Sequence, residues 1–97
     1  MAEYTYDTHP ARLVLKDRPN VRERLLYKGT LGMTRGTDYY VKMWEAAQPI
    51  ITEFECEFVK VDDDLDVIDD PRAAEVIQWV GLMAMTHMAQ IEVIPKN

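Results

Sequence analysis

Ninety-seven residues, 47% hydrophobic and 29% charged, suit one folded domain and exclude a disordered chain. A single cysteine, Cys56, excludes an intrachain disulfide framework and offers no metal-ligand spacing, so it reads as a small packed hydrophobe in a reducing compartment. The net charge of −6 is unevenly spread: residues 1–36 carry +3, whereas nine acids and one Lys between Glu53 and Asp70 give −8. That asymmetry bears on charged partners rather than on fold.

The domain is expected to span 1–97, with 1–11 as a flexible or partner-bound arm. The opening Met1-Ala2-Glu3-Tyr4 shows no basic or apolar leader region. "RLVLK" (Arg12 to Lys16) alternates Leu13 and Leu15 on one face and predicts a short strand. Asn20, with Glu23 three residues on, has the form of a capping box for a helix "VRERLLYK" that would stop at Gly29. Three glycines between Gly29 and Gly36 mark a connecting loop.

Thr37 is expected to cap a second helix with Asp38 in its first turn, and Tyr40, Met43, Trp44 and Ala47 fall on one side. Pro49 interrupts it, yet the apolar stripe continues through Ile51, Phe54, Phe58 and Val61. The stretch "TEFECEFVK" therefore has two readings. As a strand it sets Glu53, Glu55 and Glu57 against Phe54, Cys56 and Phe58; as a helix it prolongs the stripe. The in-phase stripe tips the expectation for 52–61 to helix, with strand as the alternative. An acidic connection, "DDDLDVIDDP", follows. Asp70 as cap and Pro71 as first residue then start a long helix to about Gln90. That helix is apolar nearly all round, so it must be central to the core or covered by a partner. Gly81 within it suggests the close packing of another backbone. "IEVIPKN" ends the chain, extended near Pro95. The longest uncharged run, Val76 to Ile91, holds Gln78, Thr86, His87 and Gln90, too short and polar to span a bilayer, and the expected location is the cytoplasm.

The fold expected is mainly α with one or two short strands, α+β being the alternative, around a central apolar C-terminal helix. No catalytic set is visible. "DDDLDVIDDPRA" lacks the turn glycine and closing glutamate of a calcium loop. His9 and His87 are the only imidazoles, and a Cys56–His87 pair has no support in spacing. The basic residues Arg12, Lys16, Arg18, Arg22, Arg24 and Lys28 belong to no nucleic-acid-binding motif. Neither cofactor nor metal is expected. Glu53, Glu55, Glu57, Asp62, Asp63, Asp64 and Asp66 stand as candidate partner-binding residues. Trp79 is added as an interface anchor and Met83 as an adaptable contact.

From Thr37 to Met88 the order of features resembles small tail-assembly chaperones of long-tailed phages. The matching parts are "DYYVKMWEAAQPIITEF", "DDDLDVIDDP" and "RAAEVIQWVGLMAMTHM". The resemblance implies a non-enzymatic, host-cytoplasmic assembly factor that binds phage structural proteins. An alternative reading is a phage-encoded inhibitor, similar to anti-CRISPRs, that uses 53–70 to mimic nucleic acid toward a basic nucleic-acid-handling protein. A homo-oligomer fits either reading; a membrane and direct nucleic-acid contact fit neither.

Overall fold

The computed structural model describes residues 2–30 and 37–91. Strands β1 (Ala2–Tyr6), β2 (Ala11–Leu15) and β3 (Ile51–Cys56) form one antiparallel sheet in the order β1-β2-β3. Helix α1 (Val21–Lys28) follows β2, α2 (Thr37–Ala47) leads through a 3-10 turn (Gln48–Ile50) into β3, and α3 (Pro71–Ile91) crosses the core. This is an α+β domain, not the mainly helical one expected. The glycine-rich loop beyond Thr30 and the extension after Ile91 lie outside the described residues.

The main correction falls on "TEFECEF", which is the strand β3 over Ile51–Cys56. Pro49 can donate no helical hydrogen bond, so α2 stops at Ala47 and the chain is extended by Ile51 (φ −78°, ψ 120°). There it pairs with β2, and Lys16 N–H donates to Ile50 O at 2.9 Å. The misleading helical period has a structural cause. Val14 pairs with Glu53 but Leu15 pairs with Ile51, so Thr52 is an extra, bulged residue. Its hydroxyl donates to Val14 O at 3.1 Å. The bulge turns Ile51 and Phe54 to the same side despite their spacing of three, and both pack on the core.

Strand β1 was not anticipated. The segment expected as an arm alternates Tyr4 and Tyr6, partly buried against the core, with exposed Glu3 and Thr5, and pairs with β2 through a four-residue turn. Leu13 and Leu15 on the central strand are fully buried, as are Val76 and Val80 on α3. Trp44 and Ile50 close the core from the α2 side. Gly81 permits a close approach, as expected, but to a side chain: a Cβ there would lie 3.0 Å from both Cβ and Cε of Met43.

The capping expectations at Asn20 and Asp70 hold, whereas Thr37 is the first residue of α2 itself. Asn20 Oδ1 accepts from Glu23 N–H at 2.9 Å while Glu23 accepts from Asn20 N–H at 2.7 Å. Asp70 Oδ1 accepts from Arg72 N–H at 2.9 Å at the start of α3. Gly29, however, keeps a right-handed conformation (φ −63°), so α1 does not end through glycine's left-handed freedom. Thr30 instead takes up Tyr27 O through both its N–H (3.0 Å) and its hydroxyl (2.7 Å).

Candidate functional site

The acidic residues fall on two surfaces. The first is the outer face of the sheet, where the period of two sends Glu3, Arg12, Val14, Glu53 and Glu55 away from the helices. Arg12 sits amid the carboxylates. Its Nη2 lies 2.7 Å from Glu3 Oε1 and 3.2 Å from Glu53 Oε2, and its Nη1 lies 3.7 Å from Glu55 Oε1. Hydrogen bonding to Glu3 foremost, then Glu53, raises the Arg12 pKa above its ordinary value. The face is thus an ion-pair network around one guanidinium, with Glu53 and Glu55 committed to it and an excess of negative charge. Glu57, exposed just beyond β3, lies outside that network and acts electrostatically on Arg72.

The second surface is the connection from β3 to α3. Asp63 Oδ2 accepts from Lys60 N–H at 2.7 Å, and Asp64 Oδ1 accepts from Asp66 N–H at 2.9 Å. These short-range bonds shape the acidic loop, as small polar side chains do in turns. Asp70 is held by Arg72, with Arg72 Nη2 2.8 Å from its Oδ2. The hydrogen bond from the Arg72 side chain, then that from its backbone, keeps the Asp70 carboxyl below the usual carboxylate range. Arg72 also lies over the Phe58 ring, 4.4 Å from its centroid. Asp62, Asp64, Asp66 and Asp69 form no ion pair among the described residues, and Asp62, Asp64 and Asp66 are exposed.

Beneath this loop runs a groove of about 430 Å³. Tyr40 and Val41 of α2, Leu65 and Ile68 of the loop, and Ala74 and Ile77 of α3 give it apolar walls. Asp70 and Gln78 supply its polar edge, and Val67, 75% exposed, stands on the same loop. The groove takes up part of the apolar surface of α3, while Leu82 remains 44% exposed outside it. One side of the helix, through Val76, Val80, Ala84 and Met88, is core, while Ala74 and Ile77 line the groove. A shallower hollow of about 320 Å³ joins Asp63, Asp64 and Asp66 to Glu45 and Trp44. The Trp44 indole N–H is buried with no hydrogen-bond partner among the described residues.

The other anticipated residues lie elsewhere. Trp79 stacks on Tyr6, with ring centroids 5.1 Å apart and planes within 12°, and is 9% exposed. Met83 is half-buried against the same core. Both imidazoles tie β2 and its turn to α3: His9 Nε2 meets Glu75 Oε2 at 2.5 Å, and buried His87 Nε2–H donates to Lys16 O at 2.8 Å. Cys56 is free and buried at the end of β3. No group of three or more metal-ligating side chains occurs among the described residues. No described helix is long and apolar enough to cross a membrane.

Comparison with known families, curated proteins and solved structures gives no match. The groove and loop therefore rest on their own geometry. Sequence reasoning found the aspartates and missed the groove's floor, because its walls come from three segments that share no local pattern.

Proposed function

We propose that the chain is a non-enzymatic interaction factor of the phage assembly type, docking a basic, amphipathic segment of a structural protein in the groove below the acidic loop. The observation that carries this reading is an apolar groove walled in part by Leu65 and Ile68 of the acidic loop, whose Asp62, Asp64 and Asp66 are exposed. The floor offers area to an aliphatic or aromatic side chain, and the exposed aspartates of the adjoining loop select for Lys or Arg beside it. A host-cytoplasmic setting belongs to the same proposal, and the buried, free Cys56 is compatible with a reducing compartment.

The test is co-expression of the tagged full chain with candidate tail and capsid proteins. Wild type should retain a structural protein at low salt and release it as salt rises, since exposed charge pairing is screened. Ala74→Arg in the groove, and the triple change Asp62→Asn, Asp64→Asn, Asp66→Asn in the adjoining loop, should each weaken capture. Capture indifferent to both variants would refute the groove as the docking site.

The second reading, carboxylate mimicry of nucleic acid, draws support from β3. As a strand it puts Glu53 and Glu55 on one face, close in sequence to the aspartates. Arg12 works against it by offsetting part of the negative charge of that face. This reading predicts salt-sensitive binding to a basic nucleic-acid-handling protein that strengthens in Arg12→Gln; unchanged binding in that variant would count against it.

A further inference from the structure

The two edges of the sheet differ in how they are protected. Strand β3 carries Glu53 and Glu55, is broken by the bulge at Thr52, and ends where Lys60 Nζ donates to Cys56 O at 3.3 Å. Charges and bulges are devices that keep one sheet edge from pairing with another. Strand β1 has neither a bulge nor a Lys or Pro, and it matches β2 residue for residue from Ala2 to Tyr6. Its one charge, Glu3, is drawn sideways to Arg12 of β2, 2.7 Å away. No described strand pairs with the outer side of β1. The backbone N–H and C=O groups on that side form a template for a further strand.

We infer that this strand is β1 of a second copy, paired antiparallel about a two-fold axis at Tyr4, so that two three-stranded sheets join into one. Side-chain matching selects the occupant. About that axis Glu3 faces Thr5 of the other copy, a carboxylate beside a hydroxyl, and the two-fold repeats the pair. On the inner face Tyr4 meets Tyr4, and Ala2 leaves room beside Tyr6. All five residues of β1 are then paired with no like charges opposed. The other edge pairings fail this condition. Centring β3 on a second β3 sets Glu53 or Glu55 against a glutamate, and centring β1 on Phe54 of β3 sets Glu3 against Glu55.

Helix α3 supports the same axis. Tyr6 stacks on Trp79, and Tyr4 meets His87 edge-on with centroids 6.4 Å apart, so α3 runs antiparallel to β1 with Met83 between the two contacts. Leu82 lies next to Met83, one turn from Trp79, and is 44% exposed. The two-fold sets this apolar flank of α3 beside its own copy. The interface is small, so the dimer is weak. It also stands apart from the groove, which lies against other residues of α3, Ala74 and Gln78 among them.

The test is light scattering on the full chain from ~10 μM to ~1 mM, at low salt and again at ~0.5 M. Wild type should pass from monomer to dimer and no further, with little dependence on salt. Thr5→Glu opposes two pairs of like charges across the axis and should weaken the dimer about tenfold, with recovery at high salt where repulsion is screened. The substitution suits the monomer, because residue 5 faces Arg12 on β2. Ala74→Arg in the groove should dimerise as wild type does. Disulfide trapping reads the register independently. Glu3→Cys and Thr5→Cys chains, mixed and mildly oxidised, should cross-link as dimers far faster than either alone, because residue 3 meets residue 5 across the axis. A wild type monomeric throughout, or growing beyond the dimer, overturns the inference. So does a Thr5→Glu dimer as strong as wild type's, or cross-linking of one variant alone as fast as the mixture. Loss of the dimer in a folded Ala74→Arg chain would move the contact to the groove and overturn it as well.

Discussion

Glu23 and Lys16 form an ion pair on the inner side of α1, Oε1 to Nζ at 2.8 Å, with only 8% of the Glu23 side chain exposed. The pair fixes which way the helix faces. With Glu23 turned in, the positions 100° to 200° away around the helix, including Val21 and Leu25, must face solvent. The capping box that starts the helix and the inversion of its polarity are thus two consequences of one side chain.

That pair makes stability depend on acid. Burial pushes the Glu23 carboxyl up, but the Lys16 ammonium and the Asn20 amide outweigh it and hold the pKa below the ordinary carboxylate value. The unfolded chain therefore binds a proton more readily than the folded one, so stability rises with pH through that window. The contribution is complete above the unfolded-state value and is lost as pH falls through the lowered folded value. In Glu23→Gln, thermal melting followed from pH 7 to pH 2 should fall less steeply in the acid range. An unchanged slope would exclude the pair as a contributor.

The cap of α3 supports a separate prediction. Asp70→Ala removes an N-cap acceptor and the Arg72 partner at once, and should lower the urea midpoint of unfolding at pH 7. The mutant loss should vanish toward low pH, where wild-type Asp70 is protonated as well. A loss that persists with full size at pH 2 would assign the effect to something other than the carboxylate.

How much of this was legible depended on how local the cause was. The starts of α1 and α3 are written in adjacent residues, Asn20 with Glu23 and Asp70 with Pro71, and both were read correctly. Strand β3 was misjudged because the Thr52 bulge brings Ile51 and Phe54 to one face at a helical spacing. Strand β1 escaped notice although Tyr4 and Tyr6 alternate with Glu3 and Thr5, since a five-residue signal gains meaning only beside β2. The aspartates were visible as composition. The groove was not, because Tyr40, Leu65 and Ile77 meet only in the fold.

Gly81 tests the packing of α2 on α3. Any larger side chain must displace Met43, whose Cβ would stand 3.0 Å from a new Cβ and cannot swing away as its Cε can. Gly81→Val should destabilise by roughly 1–3 kcal/mol through overpacking, despite removing a helix glycine. Because Met43→Ala removes the Cε contact though not the Cβ one, the Gly81→Val, Met43→Ala double mutant should lose less stability than the sum of the two single losses. Strict additivity would show that the two residues do not share the contact.

The central strand sets the scale. Leu13 is fully buried between β1 and β3, and Leu13→Ala should cost about 2–5 kcal/mol. A loss below about 1 kcal/mol would mean that the sheet is not the platform on which α3 packs.

Hydrogen exchange on the full chain, alone and in its captured complex, tests the docking claim most directly. The account predicts new protection at amides of 64–78 and around Tyr40 and Val41, with the edges of β1 and β3 unchanged. Protection confined to those strand edges, with the groove exchanging as in the free chain, would contradict it.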